Sequence, residues 1–310
     1  MNNSQKTQSP ETLRYLALAL DPIHVGTGGA RLGRVDMSIV REPGTNLPKI
    51  PGTSLAGACR TYAAMQENGK FPWCAGQGQA QGNHQGHCGE ADCPICVTFG
   101  FSRRDKSFQG LAQFTDARLI LFPVHSLAGP VWVTCPDTLR DWGLTESEPQ
   151  DGEVRVANAV RVRDKLNLGW LMLNVAANRF SIDAKLRDAP DEIKNRGVLV
   201  SSKMFSHIVN DNLEVRTSVS IDPATGAAAE GALYTYEALP RTSILAFDIV
   251  VSDPKFYRID DRIPLEGDLG KVTDTVKKGA QLFESLGIGG MNTRGMGRLQ
   301  ILNREQEANS

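Results

Sequence analysis

Four of the six cysteines, Cys74, Cys88, Cys93 and Cys96, fall within 23 residues of one another. Clustered thiols of this kind hold a metal ion in a reducing compartment. Cys93-Pro94-Ile95-Cys96 has the knuckle spacing that places two sulfurs about 2.3 Å from one Zn²⁺. Cys88 adds a third thiolate, and the fourth ligand is Cys74, His84 or His87. Cys74 is favoured, because all-thiolate structural sites are common and adjacent ligands at His87 and Cys88 crowd each other. Four protein ligands leave no open position for water, so this zinc is structural. The second chemical stretch runs from His24 to Arg60. Gly26, Gly28, Gly29 and Gly33 let the backbone take a positive φ or approach a ligand closely. His24 opens the stretch, and an unperturbed imidazole, titrating near 6.5, suits acid–base work. Asp36 lies among basic residues: Arg31, Arg34, Arg41, Lys49 and Arg60 outnumber Asp36 and Glu42. Such a surface suits an anion.

The elements that must position these residues follow from pattern. Leu55, Ala58, Cys59 and Tyr62 repeat at helical spacing, predicting a helix over 53–66 with Thr53 or Ser54 as N-cap. Its free N–H groups and positive dipole end would point toward the glycine loop and favour a phosphate. Common nucleotide motifs do not fit. Counting from Gly26, the sixth place of a dinucleotide fingerprint is Arg31, and no G-K-[ST] closes a Walker loop. Residues 13–20 read as a buried strand and 35–40 as a second extended segment. The run 67–100 is polar and glycine-rich and needs a staple, which the cysteines supply. Strands are expected over 111–124, 131–135 and 170–175, a short helix begins at Pro136-Asp137, and 183–197 reads as exposed.

Residues 211–240 carry the clearest β signal, two alternating runs joined by D-P-A-T-G. Leu213, Val215, Thr217 and Val219 fall on one face, with Glu214, Arg216, Ser218 and Ser220 on the other. Val272, Val276, Ala280, Phe283 and Leu286 mark an amphipathic helix, ended by the glycine turn G-I-G-G-M-N-T-R-G-M-G. There Arg294, Arg298 and backbone N–H groups could grip an anion. A last strand covers 298–302.

The bulk composition is that of an ordinary soluble globular protein: 41% hydrophobic, 22% charged and net charge −1. Any nucleic-acid surface is therefore a local patch. No apolar run approaches the roughly 18 residues of a membrane span. The first ten residues lack the apolar core of a signal peptide, and the expected location is cytoplasmic. Cys59 and Cys135 read as packed core thiols.

Taken together, H-x-G-x-G, L-G-x-V-D-x-x-I-x-R-E and I-P-G-T-S-L-x-G-x-x-R resemble the RAMP superfamily of CRISPR-associated proteins, above all the repeated backbone subunit of type III effector complexes of the Cmr and Csm kinds. C-P-I-C-V-T-F-G (93–100), F-T-D-A-R-L-I-L-F-P-V (114–124), E-G-A-L-Y-T-Y-E-A-L-P (230–240) and G-I-G-G-M-N-T-R-G-M-G-R-L (287–299) extend the likeness in family order. Ala56 stands where the family has a basic residue.

The resemblance implies an α+β fold with a ferredoxin-like, RRM-like palm, one domain over 1–310 with a zinc-binding insertion at 67–100 and a β-hairpin thumb within 211–240. It implies a guide-RNA-binding subunit stacked with like copies and other effector subunits, which cleaves paired target RNA with Asp36 as catalytic carboxylate and Mg²⁺ or Mn²⁺ as cofactor. Gly26, Gly28, Gly29, Thr53, Ser54, Gly289 and Gly290 are the expected backbone contacts to RNA, with Arg41, Arg60 and Arg294 as phosphate partners. Two alternatives stand beside it: a non-catalytic scaffold of the same shape, and a metal-free precursor-RNA-processing endoribonuclease using His24.

Overall fold

The computed structural model describes residues 10–28, 35–76, 86–182, 186, 188–229 and 233–303. Gly29, Gly33, Arg31, Arg34 and His84, named above, lie outside them. The centre is a mixed sheet. Its first four strands, in spatial order, are Leu299–Ile301, Glu11–Ala19, Ile244–Val251 and Ala117–Val124, all antiparallel. Val131–Thr134, Gly197–Leu199, Glu153–Val156, Leu171–Val175 and Lys165–Leu168 continue it, with two parallel pairings. The expected strand over 111–124 is broken in two, Ala112–Phe114 pairing with Ile244–Val251 and Ala117–Val124 lying beside it.

Alternation along Glu11–Ala19 decides what packs where, because successive side chains point to opposite faces. Leu13, Tyr15, Ala17 and Ala19 face the larger core, under the helices Gly52–Gln66 and Leu269–Gln281. Leu16 faces a second core with Ile120, Trp132, Phe180 and Ile244. That second core corrects one expectation: Leu186, Ala189 and Ile193 are buried in it, so the segment read as exposed supplies an apolar edge. Its charged residues hid three apolar ones at irregular spacing.

The two helices cross closely. A Cβ built on Gly279 would stand 2.3 Å from the Cys59 carbonyl oxygen, so only glycine lets the backbones meet. Cys59 is buried there, its Sγ 3.4 Å from the Val276 carbonyl oxygen. Cys135 is likewise a buried thiol, at the N-cap of the short helix Pro136–Asp141. Val272, Val276, Ala280 and Phe283 are buried as their spacing requires, whereas Leu286, at the end of the run, is 41% exposed. Gly287, at φ 75°, then ends the helical segment.

Candidate functional site: two glycine turns and an exposed acid

The two glycine turns, from opposite ends of the chain, meet. Gly290 N–H donates to the His24 carbonyl oxygen at 2.9 Å, and Gly297 N–H to that of Pro22 at 2.9 Å. A Cβ on Gly289, where φ is +82°, would lie 2.5 Å from the His24 oxygen, so the approach depends on glycine there. Gly26, Gly28, Gly289 and Gly290 remain exposed. The N–H groups of Gly290 and Gly297 are satisfied by protein carbonyls, so they are not anion donors.

Asp36 stands on the surface beside this junction. Glu214–Ser218 and Tyr234–Ala238 form the antiparallel hairpin that the sequence predicts. The chain at Met37 pairs with the second of these strands: Met37 N–H donates to the Thr235 oxygen at 3.1 Å, and Glu237 N–H to the Met37 oxygen at 3.0 Å. Asp36 is thereby placed opposite Thr235. Its Oδ2 accepts from the Thr235 N–H at 2.7 Å and from the Thr235 hydroxyl at 2.9 Å. These bonds hold the Asp36 carboxyl below the usual carboxylate range. Next along the strand, Tyr234 carries Arg294 from the C-terminal turn, the guanidinium 5.8 Å from the ring centroid and hydrogen-bonded to the phenol. That bond also lowers the Tyr234 phenol. Hairpin, acid and C-terminal turn therefore form one continuous surface.

Along the apolar row of the hairpin's first strand, Leu213 is buried in the core, whereas Val215 and Val219 are each 43% exposed. The hairpin is a separate two-stranded sheet, and nothing in a period of two says which side a neighbour will cover.

His24 is only 5% exposed. Its Nδ1 lies 2.6 Å from the Glu237 carbonyl oxygen, which fixes that nitrogen as the donor, and the ring packs edge-on against Tyr236. It is a buried imidazole beneath the junction with its Nδ1 engaged by the hairpin strand. Arg41 is also turned inward. Its guanidinium donates to Glu237 Oε2 at 2.8 Å, Asn210 Oδ1 at 2.8 Å and the Ile39 oxygen at 3.0 Å. Those bonds tie the segment after Asp36 to the hairpin strand, so the Arg41 donors are engaged within the protein.

The start of the first helix needs a further correction. Neither Thr53 nor Ser54 caps it; Asp116 does, its Oδ1 accepting from Gly52 N–H at 2.8 Å while its Oδ2 pairs with Lys49 at 2.5 Å. A carboxylate already sits where an anion was expected. Asp116 lies 64 residues away, with no local signature to announce it. Thr53 stays exposed and Ser54 half-buried.

The four cysteines do come together. The Sγ–Sγ distances are 3.6 Å for Cys74–Cys88 and 3.7 Å for both Cys88–Cys96 and Cys96–Cys74, and all four sulfurs lie within 4.8 Å of one another. A tetrahedron with sulfur about 2.3 Å from zinc has edges of about 3.8 Å, so the donor set fits. Hydrogen bonds from Cys88, Cys93 and Cys96 push the Cys74 thiol down, while its neighbours push Cys93 and Cys96 up. Four thiolates this close repel one another, and a dication would relieve that. Lys70 Nζ lies 3.9 Å from Cys88 Sγ. Arg60, expected on a phosphate, instead staples the cluster to the first helix. It donates to the Cys74 oxygen at 2.7 Å and lies 2.9 Å from His87 Nδ1. His87 is thus a neighbour of the cluster and not a ligand. Among the described residues this is the one group of three or more metal-type ligands. A catalytic cation beside Asp36 would find one carboxylate there and would need water and RNA oxygens for the rest.

Fold and site define an α+β protein in which two glycine turns meet beside a surface acid that a hairpin strand holds in place. The sequence profile of the RAMP superfamily matches residues 17–300, and the chain belongs to that superfamily. The CRISPR system Cmr endoribonuclease Cmr4 of Pyrococcus furiosus is 25% identical over 311 aligned residues, covering 92% of this chain and 93% of that protein. The CRISPR system Cms endoribonuclease Csm3 of Mycobacterium tuberculosis is 48% identical over 44 residues, 14% of this chain and 19% of its own. Among solved structures, the apo state of Type III-B Cmr-beta superposes with a TM-score of 0.63 at 15% identity, covering 94% of this chain and 98% of that one. Oligomeric Cmr4 from Pyrococcus furiosus gives 0.60 at 19% identity, covering 95% and 100%. At such identities the structural likeness speaks for the fold. No helix among the described residues is long and apolar enough to cross a membrane.

Proposed function

We propose that the chain is the guide-RNA-binding backbone subunit of a type III CRISPR ribonucleoprotein, stacked with like copies, and that it cleaves paired target RNA at Asp36. The observation that carries this is the meeting of the two glycine turns, Gly290 N–H on the His24 oxygen at 2.9 Å, beside an exposed acid. Relatives named as CRISPR endoribonucleases, and a structural neighbour described as bound to cognate target RNA, support it.

The order Leu299–Ile301, Glu11–Ala19, Ile244–Val251, Ala117–Val124, with both long helices on one face, supports reading the centre as a ferredoxin-like βαββαβ palm. On this reading residues 1–310 are one RAMP domain, 67–100 its zinc-binding insertion and 211–240 its thumb. Gly26, Gly28, Gly289 and Gly290 offer close backbone approach to the ribose-phosphate strand, Thr53 and Ser54 a second contact, and Arg294 the charge. Contacts of this kind position RNA without reading its sequence.

In the reaction the substrate's 2′-oxygen attacks the adjacent phosphorus in line. The 2′-O–P bond forms, the P–O5′ bond breaks, the 2′-hydroxyl proton is lost and the departing 5′-oxygen gains one. The protein's part is to hold the strand in that geometry and to place a negative carboxylate beside it. A bound Mg²⁺ or Mn²⁺ supplies stabilisation of the charge that develops on the phosphate.

The test is cleavage of target RNA by the assembled complex with Asp36→Ala and, separately, with EDTA. Loss on the order of 10²-fold or more is expected in both, with guide loading unchanged. Full cleavage by Asp36→Ala makes the subunit a non-catalytic scaffold, and loss confined to His24→Ala restores the metal-free mechanism.

A further inference from the structure

An exposed aspartate ordinarily samples several rotamers, yet Asp36 is tied by three hydrogen bonds to a single residue. Thr235 gives its N–H and its hydroxyl to Oδ2, at 2.7 and 2.9 Å, and its Oγ1 accepts the Asp36 N–H at 3.2 Å. The hydroxyl is thus used as donor and acceptor at once, which orients it. Among the described residues no other residue bonds Oδ1. The backbone pairing of Met37 with the hairpin strand fixes Thr235 opposite the acid.

We propose that Thr235 is the positioning residue of this site: its hydroxyl holds the Asp36 carboxylate in one orientation and leaves Oδ1 for the substrate. This rests on Asp36 being the reacting acid. It gives the hairpin a part in placing the acid. Since Thr235 belongs to the hairpin strand, displacement of that strand moves the acid with it.

The test uses the assembled, guide-loaded complex carrying Thr235→Val, Thr235→Ser or Asp36→Ala. Valine keeps the β-branched shape that suits a strand and removes only the hydroxyl. Single-turnover cleavage by Thr235→Val is expected to fall about 10-fold, since a misplaced group of this kind costs rate and not affinity. Target affinity and melting temperature stay at wild-type values. Thr235→Ser restores the rate. Wild-type cleavage by Thr235→Val overturns the proposal, as does a serine variant as impaired as valine, which would make strand packing the cause. If Asp36→Ala cleaves normally, the functional reading fails first and this inference with it; if only Asp36→Ala is impaired, the inference alone fails.

Discussion

The cysteine cluster and the surface around Asp36 are built in opposite ways. The cluster draws all four ligands from residues 74–96, closes them around a point and buries three of the four. The Asp36 surface draws on 24–28, 35–41, 234–239 and 287–298, and it stays open, with Gly26, Gly28, Asp36, Gly289, Gly290 and Arg294 all exposed. A closed set of donors is complete in one chain. An open surface with an exposed acid and an exposed arginine held on Tyr234 is, on the proposed function, half of a site whose other half is a strand of RNA. The same contrast explains Arg60 and Arg41: both are basic residues near the glycine loop in sequence, and both spend their donors on protein carbonyls and side chains.

The contrast predicts effects of descending size. Removing two ligands with Cys93→Ser and Cys96→Ser should abolish metal binding, since structural zinc contributes about 10–16 kcal/mol to small zinc-folded units. Metal analysis should fall from about one zinc per chain to none, and the melting temperature should drop steeply. A variant that keeps its melting temperature would make the insertion a passive loop. Zinc affinity should also weaken as pH falls, because protons compete for the thiolates. Arg60→Ala should cost about 1–3 kcal/mol of stability through its lost bonds to the cluster and leave RNA affinity untouched. Weakened RNA binding at unchanged stability would return Arg60 to the phosphate backbone. Arg294→Ala is the mildest: it should lower affinity for guide RNA evenly across sequences and reduce the salt slope by about one. An unchanged slope would confine Arg294 to its contact with Tyr234.

Local pattern carried much of this protein. Strand 11–19, helix 52–66, hairpin 214–238 and helix 269–281 were readable because their periodicity is written in neighbouring residues. The cluster was readable too, since knuckle spacing fixes two sulfurs over four residues. The likeness of H-x-G-x-G and G-I-G-G to one family implies that both glycine turns approach the same RNA strand.

What the pattern left out depends on partners far away in the chain. Asp116 caps a helix 64 residues earlier, Thr235 holds an acid 199 residues away and Glu237 receives Arg41 from a separation of 196. Threonine in an alternating strand and aspartate before a strand have no local signature for such work. The hairpin's orientation was undetermined for the same reason, as two faces of a free ribbon become distinct only when something packs on one.

Spacing alone marked helices, strands, a cluster of four thiols and two glycine turns, because those properties depend on residues close together in sequence, and the likeness to one family supplied the α+β fold class. Whether an acid is exposed or sealed, and whether an arginine reaches solvent or a carbonyl, was decided by tertiary structure. Burial and hydrogen-bond partners are set by which distant segments the sheet brings side by side.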